Sequence, residues 1–215
     1  MSPQETSTIH NDPAAVATRL AGLDLGEADL VRAVQDAFAE AFDCTTHDPP
    51  SMAGFIAWGK TVRYLRDRLV PRGWTPANDR NYSTVVHPTG SIAIAVASGD
   101  ANTGVASRVP STQYEKGPAT TDAVLTNQMT LGDLVPSFPV HPSATQTWLL
   151  LHHFDETNEE IRMELSLPDG ISEGGHVTSW RERLLLSPVP GFPTTSIEIR
   201  DAGEDIDVPV RRLSS

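Results

Sequence analysis

The chain is poor in cysteine and lacks long apolar runs. Its 215 residues include a single cysteine, Cys44, so no disulfide bond can form within the chain. This composition fits a reducing compartment, and we expect a cytoplasmic location. The longest apolar runs, such as residues 148–151, are far shorter than the roughly 20 residues that cross a bilayer. Residues 1–15 show no basic region followed by an apolar stretch, so we expect neither a secretory signal nor a membrane partner.

Basic residues are also scarce. The chain has 16 Lys and Arg residues against 28 Asp and Glu residues, which gives a formal net charge of −12 at pH 7. Such acidity favours solubility and opposes non-specific binding to nucleic-acid phosphates or anionic membranes. It does not exclude a local basic patch. Hydrophobic residues make up 39% of the chain, which is enough for a packed core.

The spacing of the apolar residues changes along the chain. Up to about Arg72 they recur every three or four positions, which is typical of helices. From Asn81 onwards they recur every second position, which is typical of half-buried strands. Helices are expected at about 13–23, 27–42 and 51–69. The predicted apolar stripe of the third helix consists of Phe55, Trp58, Val62, Leu65 and Leu69.

The alternation of apolar residues in the second half of the chain predicts a sheet. Strands are expected in a hairpin over 81–96 and at 147–155, 160–167, 176–186, 195–200 and 208–213. Four apolar residues of the 160–167 strand are expected to face the core: Ile161, Met163, Leu165 and Leu167. The alternating polar residues of that strand are expected to face solvent: Glu160, Arg162, Glu164 and Ser166.

Together these patterns predict an α+β fold, with N-terminal helices packed on a mainly antiparallel sheet. Residues 1–10 are expected to form a flexible tail, and residues 11–215 a single domain. Its helical part covers about 11–72 and its sheet part about 81–213. Between residues 98 and 145 the periodicity fades, apart from one helix predicted near 121–129. A functional loop, an interaction arm and an irregular surface excursion remain open for this segment.

A histidine and two carboxylates form the first candidate site. On a strand, His153 and Asp155 point the same way, and Glu164 is expected across the hairpin. These groups can hold a divalent metal or act as an acid/base pair, and they would be the catalytic residues of a metal-dependent hydrolase. No HExxH motif and no spaced Cys/His set accompanies them. A strand with its polar face in solvent explains the same residues.

Arginines on the predicted sheet form a second candidate. Arg162 alternates with acidic residues, and Arg181 and Arg183 lie on a later strand. Opposite charges on neighbouring strands can pair, each pair contributing about 0.2–1 kcal/mol. The same arginines can also hold a carboxylate or phosphate of a partner.

A concentration of basic residues between positions 60 and 80 is out of proportion in so acidic a chain. It consists of Lys60, Arg63, Arg68, Arg72 and Arg80, together with Arg66. These side chains can contact nucleic acid or an acidic partner. They can also neutralise acidic segments of the same chain, such as those at 155–164 and 201–207.

Two weaker candidates complete the set. Cys44 with His47 has the residue types for nucleophilic catalysis, although a lone cysteine at a helix end is typically structural. The loop 98–104, with Lys116 further on, can cradle a phosphate through backbone amides. It does not match a phosphate-binding motif, and turn chemistry explains its composition.

The sequence therefore favours a non-enzymatic interaction protein that acts through a protein partner or its own oligomer. No cofactor motif is present, and we expect no cofactor. A metal-dependent hydrolase and a nucleic-acid-binding accessory protein are the alternatives.

Overall fold

A computed structural model describes residues 7–132 and 145–191, and for residues 129–132 it describes the backbone alone. The helices are α1 (Pro13–Ala21), α2 (Glu27–Ala41), α3 (Met52–Leu69) and α4 (Pro118–Gly132), with a 3-10 turn at Val70–Arg72. The strands are β1 (Thr8–His10), β2 (Thr75–Asp79), β3 (Tyr82–Val86), β4 (Ile92–Ser98), β5 (Gln146–Asp155), β6 (Glu160–Ile171), β7 (Val177–Leu185) and β8 (Val189–Pro190). The predicted strands at 195–200 and 208–213 lie outside the described residues.

The first helix begins where the sequence predicts. The Asp12 side chain accepts a hydrogen bond from the Ala15 amide at 3.0 Å, and Pro13 occupies the first helical position. An N-cap carboxylate and a proline at this position both suit a helix start, because the first amides have no partner within the helix.

The strands of the described residues form one mixed sheet in the order β1-β7-β6-β5-β4-β3-β2, with β8 paired to β6. The α+β class is therefore confirmed. Most strand pairs of the described sheet are antiparallel, as predicted, but β4 pairs with β5, and β1 with β7, in parallel, so the sheet is mixed. A parallel pair needs a crossover connection, and the chain between Ser98 and Gln146, which contains α4, supplies one. The other parallel strand, β1, falls within the segment that the sequence assigned to a tail.

One face of the sheet packs against the first three helices. The buried residues of this core include Leu20, Leu30, Val34, Phe38, Leu65 and Leu69 from the helices and Trp148, Leu150, Ile161, Met163, Leu165 and Leu184 from the strands. The inward direction of Ile161, Met163, Leu165 and Leu167 is confirmed. The apolar area that these residues remove from water stabilises the fold by roughly 25 cal/mol per Å².

The register of α3 differs from the predicted one. Val62, Leu65 and Leu69 are buried, but Phe55 and Trp58 are 44% and 38% exposed. Small side chains are buried there instead, namely Ala53, Ala57 and Thr61. Helix α2 carries a similar row of small buried residues, namely Ala33, Ala37 and Ala41. These two helices pack against each other, and small side chains allow helix axes to approach closely. Close packing on α2 thus turns the larger side chains of α3 outwards.

The opposite face of the sheet is covered as well. Helix α4 contributes Val124, which packs in a second cluster with Ala95, Ala97, Leu149, Leu151, Val177 and Trp180. The prediction that the polar residues of β6 face solvent is wrong for Glu164 and Ser166, which are both 0% exposed. What covers them is the irregular segment 99–117, described next. None of the described helices is long and apolar enough to cross a membrane.

Candidate functional site

Residues 99–117, here named the polar cover, lie across the second face of the sheet. The cover is hydrogen-bonded to the strands along its length. The Trp180 indole donates to the Pro110 carbonyl at 2.8 Å, the Thr112 amide donates to the Val177 carbonyl at 3.1 Å, and the Lys116 amide donates to the Gly175 carbonyl at 2.8 Å. The described part of the 98–145 segment therefore includes an irregular stretch that packs on its own sheet. Residues 133–144 lie outside the described residues, and a functional role for the segment stays a prediction.

A buried ion pair joins the cover to the sheet. The Arg183 guanidinium donates to both carboxylate oxygens of Glu164, at 3.0 and 2.5 Å, and the two side chains are 1% and 0% exposed. The same guanidinium donates to the carbonyls of Val105 and Arg108 in the cover, at 3.3 and 2.6 Å. Bidentate geometry of this kind is the strong form of an arginine–carboxylate contact. The predicted pairing of charges across β6 and β7 is thus present, but it is buried.

Glu164 also receives two further hydrogen bonds. The Gly104 amide donates to it at 2.9 Å and the Ser166 hydroxyl at 2.7 Å. Gly104 has φ +74°, and a Cβ there would lie 3.0 Å from the Arg162 Cβ, so only glycine brings this amide to the carboxylate without strain. With these partners Glu164 holds the cover in place and is not free to bind metal or substrate.

Asp155 is also engaged within the protein. Its carboxylate lies 3.0 Å from an Arg162 nitrogen and accepts hydrogen bonds from Asn158 and from the Thr157 amide. Burial acts to raise the pKa of Asp155, but the bonds from Asn158 and Thr157 and the charge of Arg162 outweigh it and lower that pKa. Asp155 therefore stays ionised and closes a turn.

His153 lines a pocket at the edge of the cover. This shallow pocket of about 400 Å³, here named the histidine pocket, is lined by His153, His176, Asp100, Ser111, Thr112 and Gln113. It lies at the carboxyl ends of the parallel strands β4 and β5, where α/β proteins commonly bind ligands. Asp100 belongs to the loop 98–104, which was predicted only as a phosphate cradle made of backbone amides, and His176 was not predicted as a site residue. His176 directly precedes β7 and belongs to no recognised motif, so the sequence gives no signal for a site there.

The two imidazoles of the pocket share one hydrogen-bonding pattern. His153 Nδ1 contacts the Gly99 carbonyl at 3.3 Å, and His176 Nδ1 contacts the Thr112 carbonyl at 2.8 Å. A carbonyl oxygen only accepts, so each Nδ1 carries the proton and each Nε2 of the neutral ring is an acceptor. Burial, followed by the charge of Arg162, lowers the pKa of His153, so this ring is neutral at pH 7.

The described residues do not contain three His, Cys, Asp or Glu side chains that together could hold a metal ion. The histidine pocket has two imidazoles and one carboxylate, and the Asp100 oxygens already accept hydrogen bonds from Asn102, at 3.0 and 3.2 Å. The structure therefore does not support the metal centre predicted around His153, Asp155 and Glu164.

The basic residues predicted to bind a partner have partners in this chain. Carboxylates lie within ion-pair distance of seven of them: Lys60 with Glu40, Arg63 with Asp67, Arg68 with Asp36, Arg72 with Asp24 and Asp29, Arg80 with Asp79 and Asp122, Arg162 with Asp155, and Arg183 with Glu164. The eighth, Arg181, donates to the Asn127 carbonyl at 2.9 Å. The acidic partners of the α3 cations lie mainly on α2 and not, as suggested, in the 155–164 segment. The other suggested acidic segment, 201–207, lies outside the described residues. Internal neutralisation accounts for this basic cluster, and nucleic-acid binding stays a prediction.

The two weaker candidates have structural explanations. Cys44 is buried, and burial together with Asp48 raises the pKa of its thiol, which opposes formation of a nucleophilic thiolate. In the loop 98–104 the amides of Gly99, Asp100, Asn102, Thr103 and Gly104 all donate to acceptors within the protein. Those amides are therefore not available to cradle a phosphate.

An exposed apolar surface lies on the other side of the sheet, on α3. Met52, Phe55 and Trp58, here named the α3 patch, are 36%, 44% and 38% exposed and fall on one side of the helix. The Trp58 indole donates to the Val96 carbonyl of β4 at 3.2 Å, which fixes the ring at the edge of the patch. Clustered exposed aromatic side chains are typical of protein–protein contact sites.

The structure thus defines an α+β protein with a mixed sheet, an ordered polar cover on one face and an apolar helix surface on the other. Comparison with known proteins gives no match: no family model, no curated protein and no solved structure is detectably similar to the chain.

Proposed function

We propose that this chain is a non-enzymatic accessory protein that binds another protein molecule, either a separate partner or a second copy of itself. The observation that carries the proposal is the α3 patch, where three large apolar side chains, each more than one third exposed, share one side of a helix. Scattered apolar residues are ordinary on a protein surface, but a cluster that includes a tryptophan resembles the centre of a binding interface.

The state of the candidate catalytic groups supports binding over catalysis. Glu164 is neutralised by Arg183, and Asp155 is held by Arg162 and by its own turn. His153 lines a pocket with Ser111 and Thr112, but the hydroxyls of those two residues donate to backbone carbonyls. The described residues also contain no group of three side chains that could hold a metal ion. No observation favours the metal-dependent hydrolase, and the paired cations do not favour nucleic-acid binding.

The proposal predicts that a polar substitution in the α3 patch abolishes association. Phe55→Ser removes the most exposed ring of the patch, and Leu125→Ser, at a 50% exposed site on α4, is the matched control. Sedimentation velocity over a range of concentrations measures self-association of each form. Pull-down from the natural host, quantified by mass spectrometry, measures partner binding, and thermal unfolding checks that each variant folds.

The proposal is supported if the wild type and Leu125→Ser both form a dimer, or both retain the same host protein in the pull-down. Phe55→Ser must lose that dimer or that host protein. The proposal is contradicted if the wild type stays monomeric at all concentrations and retains the same host proteins as Phe55→Ser. The cytoplasmic location stays a prediction.

A further inference from the structure

The turn between β3 and β4 carries a cluster of polar side chains that the proposed protein contact does not use. The turn covers residues 87–91, and at its base the His87 amide donates to the Ile92 carbonyl at 2.9 Å. The His87 ring packs edge-on against the buried Trp74, with ring centroids 5.0 Å apart, and its side chain is 16% exposed. Thr89, two residues further on, is exposed. The imidazole is therefore held against a core residue, while Thr89 beside it is open to solvent.

The hydrogen bonds of the turn determine which ring nitrogen of His87 is the acceptor. The Thr89 amide donates to His87 Nδ1 at 3.2 Å, and an N–H group can only donate, so Nδ1 carries no proton. The Thr89 hydroxyl lies 2.7 Å from the same nitrogen and therefore donates to it. The proton of the neutral ring is then on Nε2.

A carboxylate lies beside the other nitrogen of this ring. Asp24 Oδ2 is 3.6 Å from His87 Nε2. The second oxygen of this carboxylate lies 3.1 Å from an Arg72 nitrogen, and Arg72 also donates to the Asp24 backbone carbonyl at 2.7 Å. Arg72 thus holds the carboxylate in place, although it offsets part of its charge. The order carboxylate, imidazole, hydroxyl is the arrangement that activates a hydroxyl group as a nucleophile.

We propose that the Thr89 hydroxyl is a site of covalent acylation by an activated acyl ester or thioester, with His87 as the base. In this step Thr89 Oγ1 forms a bond to the acyl carbon, and the hydroxyl proton passes to His87 Nδ1. The bond from the acyl carbon to the leaving oxygen or sulfur breaks, and the leaving group departs with that electron pair. It then takes up a proton from the ring or from water. Asp24 favours the charged ring that forms during the step.

The turn favours acylation without repeated turnover. Enzymes that hydrolyse esters typically aim free backbone amides at the oxyanion that forms. The amides of this turn are engaged, because that of Gly90 donates to the His87 carbonyl at 2.8 Å and that of Ser91 to Thr89 Oγ1 at 3.3 Å. The Ser91 hydroxyl lies 2.6 Å from Thr89 Oγ1 and is one hydrogen bond further from the ring. We therefore expect one acyl group per chain, on Thr89.

The test treats the full chain with p-nitrophenyl acetate at neutral pH and follows acetylation by mass spectrometry of the intact protein and of its peptides. Hydroxylamine then removes acetyl groups from esters but not from lysine amides, so it identifies the labelled hydroxyls. Thr18 on α1 is the internal reference, because it is also exposed and its hydroxyl donates to the Ala14 carbonyl at 2.8 Å instead of to a histidine. Thermal unfolding checks that each variant folds.

We expect the Thr89 ester to form about 100-fold faster than an ester on Thr18, because general-base catalysis contributes at least that factor. His87→Asn keeps an acceptor oxygen near the position of Nδ1 but supplies no base, so it should lower the Thr89 rate to that of Thr18. Thr18→Val is the matched control and should leave the Thr89 rate unchanged. In the wild type, the rate should rise with pH along the titration of the His87 ring, which NMR measures on the same protein.

Three results would overturn the proposal: acetylation of Thr89 no faster than that of Thr18, an ester on Ser91 instead of Thr89, or wild-type reactivity in His87→Asn. The first two need no variant, so they decide even if His87→Asn does not fold. The α3 patch takes no part in these readouts, because it contacts β4 near the opposite end from this turn. This proposal and the proposed protein contact therefore fail independently.

Discussion

At the scale of single residues, His152 is the most unusual titratable group of the described structure. Its ring packs edge-on against Phe38, with centroids 5.3 Å apart, and its Nε2 is buried without a hydrogen-bond partner. Burial, followed by the charge of His153, lowers the pKa of His152 from 6.5 to about 3. A charged imidazole at this position would lack both water and a counter-ion, so the folded state keeps the ring neutral.

This burial predicts that acid destabilises the protein through His152. Between pH 6.5 and about 3 the unfolded chain takes up the proton while the folded one does not. The free energy of unfolding therefore falls with decreasing pH, by up to about 1.4 kcal/mol per pH unit from this group. His152→Leu removes the group, so we expect a shallower pH dependence in urea unfolding experiments over this range.

The exposed His47 provides the control, because its ring is in solvent in both states. His47→Gln should keep the wild-type pH dependence. An unchanged slope in His152→Leu would show that the ring is not buried in its neutral form.

The alternation of polar and apolar residues predicts the directions of single side chains, but not what covers them. His152 and His153 point to opposite sides of β5, and Ile161 and Met163 point inwards, as predicted. Glu164 shares a face with His153, also as predicted, yet it is buried. Strand periodicity specifies the face of a residue, whereas burial of that face depends on a segment far away in sequence.

At the scale of elements, the polar cover depends on the pair formed by Glu164 and Arg183. Arg183→Met should reduce the free energy of unfolding by about 3–5 kcal/mol, because it leaves a buried carboxylate without its cation. Hydrogen exchange of the Gly104 and Thr112 amides should accelerate, since the cover loses its contacts to the guanidinium.

Two comparisons make this prediction specific. Arg63→Met breaks an exposed pair on α3 and should change the free energy of unfolding by less than about 1 kcal/mol. Replacing both Glu164 and Arg183 with Met should restore part of the lost stability, because no lone charge remains buried. Equal stability losses in Arg183→Met and Arg63→Met would contradict the assigned role.

The elements show where prediction from the sequence reaches its limit. Three helices and the 147–186 strands are where their periodicities place them, within a few residues. The predicted apolar stripe of α3 is wrong at Phe55 and Trp58, which are exposed. The spacing of apolar residues along α3 does not reveal that the neighbouring helix α2 presents a row of alanines. The apolar residues of the polar cover follow no helix or strand period, because this segment bonds to the sheet irregularly and forms no regular element. Its position could therefore not be predicted from the sequence.

At the scale of the whole molecule, charge and apolar surface are distributed unevenly. The cations of α3 lie against the carboxylates of α2 and its flanking turns, so the net charge of −12 is not offset by a free basic surface among the described residues. The α3 patch interrupts this charged surface on the helical side. The histidine pocket is on the other side of the sheet.

Photo-crosslinking from the α3 patch tests the central claim most directly. A benzoylphenylalanine residue replaces Phe55 in the natural host, and the same residue at Leu125 serves as the control. We predict one defined adduct from position 55, either with a single other protein or with a second copy of this chain, and none of that kind from position 125. No adduct from position 55, or the same set of adducts from both positions, would contradict the claim that α3 is a binding surface.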